Sequence, residues 1–147
     1  MLKSSMKISR LTTFSPSVIA SFDVLMHELS PSSYCDGKKI SAALSDSNCI
    51  VLAAIEDERI VGTATLCIAH TPEFTLGFVE AVVVLHEYRG RHIAESLMAE
   101  LLRQARAAGV QKLHLTSNPL RVAANALYRK LGFEKVTTNF YELKIDE

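Results

Sequence analysis

The stretch from Gly77 to Leu102, GFVEAVVVLHEYRGRHIAESLMAELL, constrains the chain most, because its hydrophobic period changes in the middle. Val79, Val82, Val83 and Val84, with Ala81 and Leu85, make an almost wholly apolar, β-branched run. Such a run fits a strand buried on both faces. A basic turn follows, His86-Glu87-Tyr88-Arg89-Gly90-Arg91-His92, in which His86 and Glu87 read as solvated. Beyond it Ile93, Ala94, Leu97, Met98, Leu101, Leu102, Ala105 and Ala108 recur at three-and-four spacing. That is the period of a helix with one buried face, and Gly109 reads as its C′ residue.

A helix that starts directly after a strand leaves its first backbone N–H groups without intrahelical partners, at the positive end of its dipole. Gly90 lets backbone approach a ligand closely, and Arg89 and Arg91 add fork donors. Together these features fit a phosphate or pyrophosphate cradle. The same residues also fit an ordinary strand–turn–helix with a solvated Arg pair. Charge narrows the ligand. Sixteen basic and sixteen acidic residues among 147 give a formal net charge of zero. A neutral domain with one local basic turn suits a small anionic cofactor better than a nucleic acid.

The remaining segments supply a sheet for this unit to join. Met6 to Leu11 is predicted as a strand. Ser15-Pro16 opens a helix as N-cap and first-turn Pro, whose face is Val18, Ile19, Phe22, Leu25, Met26 and Leu29. Ser30-Pro31-Ser32-Ser33 ends it, and a short helix is expected from Asp36 to about Leu44. Cys49–Ile55 and Ile60–His70 read as a hairpin, with Gly62 at a bulge. Lys112 to Thr116 is the next strand, parallel to the 77–85 strand because a helix connects them. A helix opening at Asn118-Pro119 is expected to bury Val122, Ala123, Ala126, Leu127 and Leu131 and to stop at Gly132. Phe133–Val136 and Phe140–Ile145 read as closing strands. The expected fold class is α/β, a mixed central sheet with helices on both faces, in a single domain over residues 1–147.

Three cysteines, Cys35, Cys49 and Cys67, stand at wide spacing without a CxxC. Neither a disulfide framework nor a metal site is expected. The N-terminal MLKSSMKISRL lacks the apolar core of a signal peptide, and no window approaches about 18 consecutive apolar residues. A cytoplasmic protein that spans no membrane is the expectation.

The segment Arg89-Gly90-Arg91-His92-Ile93-Ala94 resembles the R/Q-x-x-G-x-G/A signature of the GCN5-related N-acetyltransferase (GNAT) family, with His92 in place of the middle Gly. Asn125-Ala126-Leu127-Tyr128-Arg129-Lys130-Leu131-Gly132-Phe133 is similar to the same family's last conserved segment. The element order resembles the family's across nearly the whole chain. The resemblance implies the GNAT acyl-CoA N-acyltransferase fold and transfer of an acetyl group from acetyl-CoA to a primary amine through a ternary complex. It implies that residues 89–94 hold the pyrophosphate, that the backbone of Val82, Val83 and Val84 contacts the pantetheine, and that Asn125 bonds the cofactor. Tyr128 matches the family Tyr near the CoA sulfur.

Direct transfer relies on proximity, on deprotonating the amine and on protonating the leaving thiolate. No covalent enzyme intermediate is needed. A phenol with a pKa of about 10 is a feasible proton donor, which makes Tyr128 the candidate acid. Glu80 is the only charge inside the apolar strand; burial there would raise its pKa, making it the candidate base. His114 is the alternative base. His92 is expected to take an ordinary helical conformation at the helix start. The competing function is a GNAT-fold sensor or regulatory module that binds CoA without catalysis. A P-loop or dinucleotide fingerprint is absent. The acceptor amine is not specified, and the closing strands could pair between two copies as a homodimer.

Overall fold

The computed structural model describes residues 6–146. Residues 1–5, part of the N-terminal segment read above as no signal peptide, lie outside that range, as does residue 147. The chain divides into two compact units, Met1–Leu115 and Thr116–Glu147.

The first unit contains β1 (Met6–Arg10), α1 (Pro16–Leu29), α2 (Gly37–Ser45), β2 (Cys49–Glu56), β3 (Arg59–His70) and β4 (Thr75–Val84). A single 3-10 turn (His86–Tyr88), α3 (Ile93–Ala107) and β5 (Lys112–His114) complete it. The strands lie in the order β1-β2-β3-β4-β5. All neighbours are antiparallel except β4 and β5, which run parallel as the α3 crossover requires.

Local chemistry sets the helix starts. Ser15 Oγ accepts from the Val18 N–H at 3.2 Å, with Pro16 at the first helical position of α1. Asp36 Oδ1 accepts from the N–H groups of Lys38 and Lys39 at 2.8 and 3.1 Å and caps α2. Gly109, at φ 74, follows the end of α3 as a C′ residue.

Register assigns the two faces of the sheet. Val51 joins Phe22, Ile40 and Leu44 in one cluster, so α1 and α2 cover the face that carries Val51. The other face meets α3: a Cβ placed on Gly62 would stand 3.3 Å from Leu97 Cδ1. Leu97, Met98 and Leu101 of α3 are wholly buried. The hairpin bulge falls at Val61, between the Ala54–Gly62 and Ile55–Ile60 pairs, beside the glycine that marks it.

The second unit departs from the sequence reading. Its helix α4 runs Val122–Lys130 and starts later than expected. Asn118 Oδ1 accepts from the Leu120 N–H at 2.9 Å, closing an Asx-type turn in place of a helix cap. No strand occurs in 133–146. Val136, Phe140, Tyr141, Leu143 and Ile145 are all more than 70% exposed. Alternation specifies which side chains share a face, but a strand also needs a ladder partner. Without those strands this unit has no second layer, and Val122, Ala123 and Ala126 are exposed where a buried helix face was expected. Tyr128 is the buried residue of α4.

Candidate active site

The basic turn after β4 is braced, not free. Arg89 Nε donates to the Val84 carbonyl at 3.2 Å, and its Nη2 pairs with Glu28 Oε2 of α1 at 3.2 Å. Arg91 Nη1 pairs with Glu56 Oε2 of β2 at 3.1 Å and lies 5.0 Å above the Tyr88 ring. Arg59 stands over the same ring at 5.6 Å and pairs with Glu87. The arginines are therefore half-exposed but oriented, which corrects the picture of a solvated Arg pair. Glu28 and Glu56 were not anticipated; charge at those positions has no sequence signature that ties it to a turn far along the chain.

Two residues of the turn sit at positive φ. Gly90 has φ 81, and a Cβ there would meet no atom within 4 Å, so the turn is open on that side. His92 has φ 60 and ψ 23 as N-cap of α3. This overturns the expectation of an ordinary helical conformation. The backbone must reverse into the helix within one residue, and the left-handed region does this at a cost of about 1–2 kcal/mol for a residue with a Cβ. The ring is exposed, with Nδ1 3.3 Å from Glu95 Oε2. Ile93 and Ala94 follow, with Ile93 buried and the first N–H groups of α3 directed back toward the turn.

The strand before the turn is irregular. Thr65 pairs with Glu80 and Thr63 with Val83, so Ala81 and Val82 together oppose Ala64. This is a β-bulge, and Ala81 has φ 52 to form it. An alanine carries no sequence mark for positive φ, so the bulge was missed. The β4–β5 ladder stops at the Phe78–His114 pair, whereas β4 continues to Val84. Val82, Val83 and Val84 are buried.

Glu80 is exposed, which corrects the expectation of a buried carboxylate. The β4 run is apolar, yet Phe78 and Glu80 are exposed on the face that carries Val51. Two rows cross that face. One holds Val51, Thr65 and Glu80; the next holds Cys49, Cys67, Phe78 and His114. Phe78 and His114 meet edge-to-face at 5.8 Å. The sequence candidates Glu80 and His114 thus share one open face of the sheet. Beside α2, Phe14, Tyr34, Cys35, Asp36, Lys38 and Ser41 border a groove of about 990 Å³.

In the second unit Tyr128 packs edge-to-face on Phe133 at 5.9 Å. Burial pushes its phenol above the ordinary value, while the charge of Arg121 and a hydrogen bond from it pull the other way. The phenol is therefore held protonated. Asn125 Nδ2 donates to the Asn118 carbonyl at 3.0 Å and ties down the turn before α4. Ser117 Oγ is buried without a hydrogen-bond partner among the described residues.

An open glycine turn at a helix start, after a bulged strand whose ladder ends early, is the framework of an acyl-CoA-type N-acyltransferase fold. Residues 18–133 match the acetyltransferase (GNAT) family, and the chain belongs to it. It is 28% identical over 102 residues to N-acetyltransferase 8B of Homo sapiens, covering 68% of this chain but 45% of the human protein. To the aminoalkylphosphonate N-acetyltransferase of Salmonella typhimurium it is 28% identical over 116 residues, 77% of this chain and 73% of that protein. A putative acetyltransferase from Agrobacterium tumefaciens superposes with a TM-score of 0.80 at 24% identity, over 95% of this chain and 99% of the other. An aminoglycoside N-acetyltransferase in complex with CoA superposes equally well, at 0.80 and 20% identity, over 99% and 98%. Among the described residues no helix is long and apolar enough to cross a membrane.

Proposed function

We propose that the protein is an N-acetyltransferase that moves the acetyl group of acetyl-CoA to a primary amine by direct transfer. The observation that carries this reading is the turn itself: an open Gly90 at the start of α3, in a chain of the GNAT family. In this reading residues 89–94, that is Arg89, Gly90, Arg91, His92, Ile93 and Ala94, hold the pyrophosphate with backbone N–H groups and guanidinium donors. The edge of β4 at Val82, Val83 and Val84 aligns the pantetheine as an added strand would, consistent with a β5 ladder that ends at Phe78. Asn125 contributes from α4. Acetyl-CoA supplies the activated acyl group when bound.

The chain's own residues handle protons and position. Glu80, open to solvent, accepts the proton of an incoming ammonium directly or through water. His114, on the same face, is the alternative base. Tyr128 holds a proton at its Oη for the departing group, and its raised titration keeps that proton in place at neutral pH. The whole chain acts as one catalytic domain and works in the cytoplasm. The exposed apolar residues of 133–145 support pairing with a second copy as a homodimer.

The competing reading is a CoA-binding sensor without catalysis; the human and Salmonella relatives above carry names of acetyltransferases, which favours the enzyme. Calorimetric titration with acetyl-CoA, beside a thiol-release assay on a panel of amines, separates the two. Binding with amine-dependent thiol release is expected. Binding with no release across small amines, amino sugars, polyamines and peptide N-termini would establish the sensor. Arg89→Ala is expected to weaken CoA at least about 10-fold while leaving phosphate-free pantetheine fragments unaffected; equal losses on both would remove Arg89 from the phosphates.

A further inference from the structure

Cys49 and Cys67 face each other directly across the β2–β3 pair. The ladder around them shows which kind of pair this is. The Ile68 N–H donates to the Asn48 carbonyl at 2.8 Å, whereas the Cys49 N–H turns away to the Asp46 carbonyl at 3.0 Å. Cys49 and Cys67 thus occupy a non-hydrogen-bonded position, where facing Cα atoms approach to about 4.5 Å and side chains stand closest. A disulfide needs Cα atoms roughly 4.4–6.8 Å apart, so the backbone already meets the requirement. The two side chains therefore leave the sheet on the same face, side by side. Both residues are partly exposed. The pair lies in the row that leads on to Phe78 and His114, on the face that bears Glu80. Core packing explains small residues at two facing positions, but it does not call for two facing thiols at an accessible strand end.

We propose that Cys49 and Cys67 form a cross-strand dithiol, a modification site that exchanges with small disulfides and closes to an intramolecular bond. The step uses an external disulfide of the glutathione type, R–S–S–R. The Cys49 thiolate attacks one of its sulfurs, forms a mixed disulfide and expels RS⁻. The Cys67 thiol then gives up its proton and attacks the Cys49 sulfur, forming the Cys49–Cys67 bond and expelling a second RS⁻. Two protein thiols are oxidised, one small disulfide is reduced to two thiols, and the protons pass to the products and solvent.

The charged surroundings set the pH range. Burial pushes the Cys67 thiol up to about 11, aided by the facing Cys49 and the carboxylates of Glu80 and Asp46. Burial also raises Cys49, while the facing Cys67 thiol pulls the other way. The Asp46 carboxylate raises Cys49 further and Arg10 on β1 lowers it. Cys49 is therefore the attacking sulfur. Since the thiolate is the nucleophile and both thiols titrate above their ordinary value, the dithiol is slow at neutral pH. Its exchange accelerates roughly 10-fold per pH unit toward alkaline solution.

The test uses the full chain, reduced, desalted and incubated with oxidised glutathione at pH 7 and at pH 9. Free thiols are then alkylated under denaturing conditions, and the unreduced digest is weighed. The expected product joins the Cys49 peptide to the Cys67 peptide with loss of two hydrogens, leaves Cys35 alkylated, and appears about 100-fold faster at the higher pH. Cys49→Ser is expected to leave Cys67 with at most a single glutathione adduct, and Cys67→Ser to stop at one on Cys49. Persistent glutathione on both cysteines of the parent chain, a bond to Cys35, or covalent dimers would each overturn the proposal. The product formed by the parent chain decides between these outcomes by itself, even where a serine variant folds poorly.

Discussion

Tyr128 and His92 are the residues whose surroundings carry the sharpest expectations. Tyr128→Phe keeps the edge-to-face contact with Phe133 and removes only the hydroxyl that Arg121 contacts. If the phenol is the proton donor, turnover is expected to fall by about 10²-fold or more with CoA affinity within about twofold. Single-turnover and binding measurements made side by side decide this. Unchanged turnover where chemistry limits the rate would remove Tyr128 from the mechanism. His92 is different in kind, because its backbone is strained. His92→Gly relieves a left-handed φ of 60. The gain of about 1–2 kcal/mol is offset by the greater freedom of glycine in the unfolded chain, leaving roughly 0.5 kcal/mol. Urea denaturation is expected to show a slightly more stable variant that still binds CoA. A loss above about 1 kcal/mol would mean that the His92–Glu95 contact outweighs the strain.

Among the elements, β4 decides the most, since it carries the bulge, the end of the β5 ladder and the start of the basic turn. Gly77 faces Leu113 across the β4–β5 pair. A Cβ there would stand 2.6 Å from Leu113 Cδ2, 3.0 Å from Leu66 Cδ1 and 3.1 Å from Val110 Cγ1. Three side chains must move at once, and two of them flank or belong to β5. Gly77→Ala is therefore expected to cost about 1–3 kcal/mol. Hydrogen exchange is expected to accelerate in Lys112–His114 before it does in β2. Uniform destabilisation with unchanged relative protection of β5 would show that the strand is held by something other than this close packing. The bulge at Ala81 belongs to the same element, and its backbone, not its side chain, shifts the pairing of Val83 and Val84 with β3 by one residue.

For the molecule as a whole, the unmet demand is the apolar surface of residues 136–145. A second copy that pairs with this stretch would bury Phe140, Leu143 and Ile145, each more than 70% exposed in the single chain. Sedimentation is expected to show a dimer for the parent chain and a monomer for Leu143→Lys with Ile145→Lys. A monomeric parent chain would dismiss the homodimer. Sequence by itself determined the order of strands and helices through residue 130, the helix cap at Ser15, the parallel crossover and the family, because each follows from local periodicity, turn chemistry or a contiguous motif. Only the tertiary structure decided that Arg89 and Arg91 are held by Glu28 and Glu56, that Glu80 is open to solvent, that His92 and Ala81 take left-handed backbone, and that residues 133–146 form no strand. Those features depend on which distant segments meet, and exposure or a ladder partner is a property of the packed surroundings that no local pattern of side chains encodes.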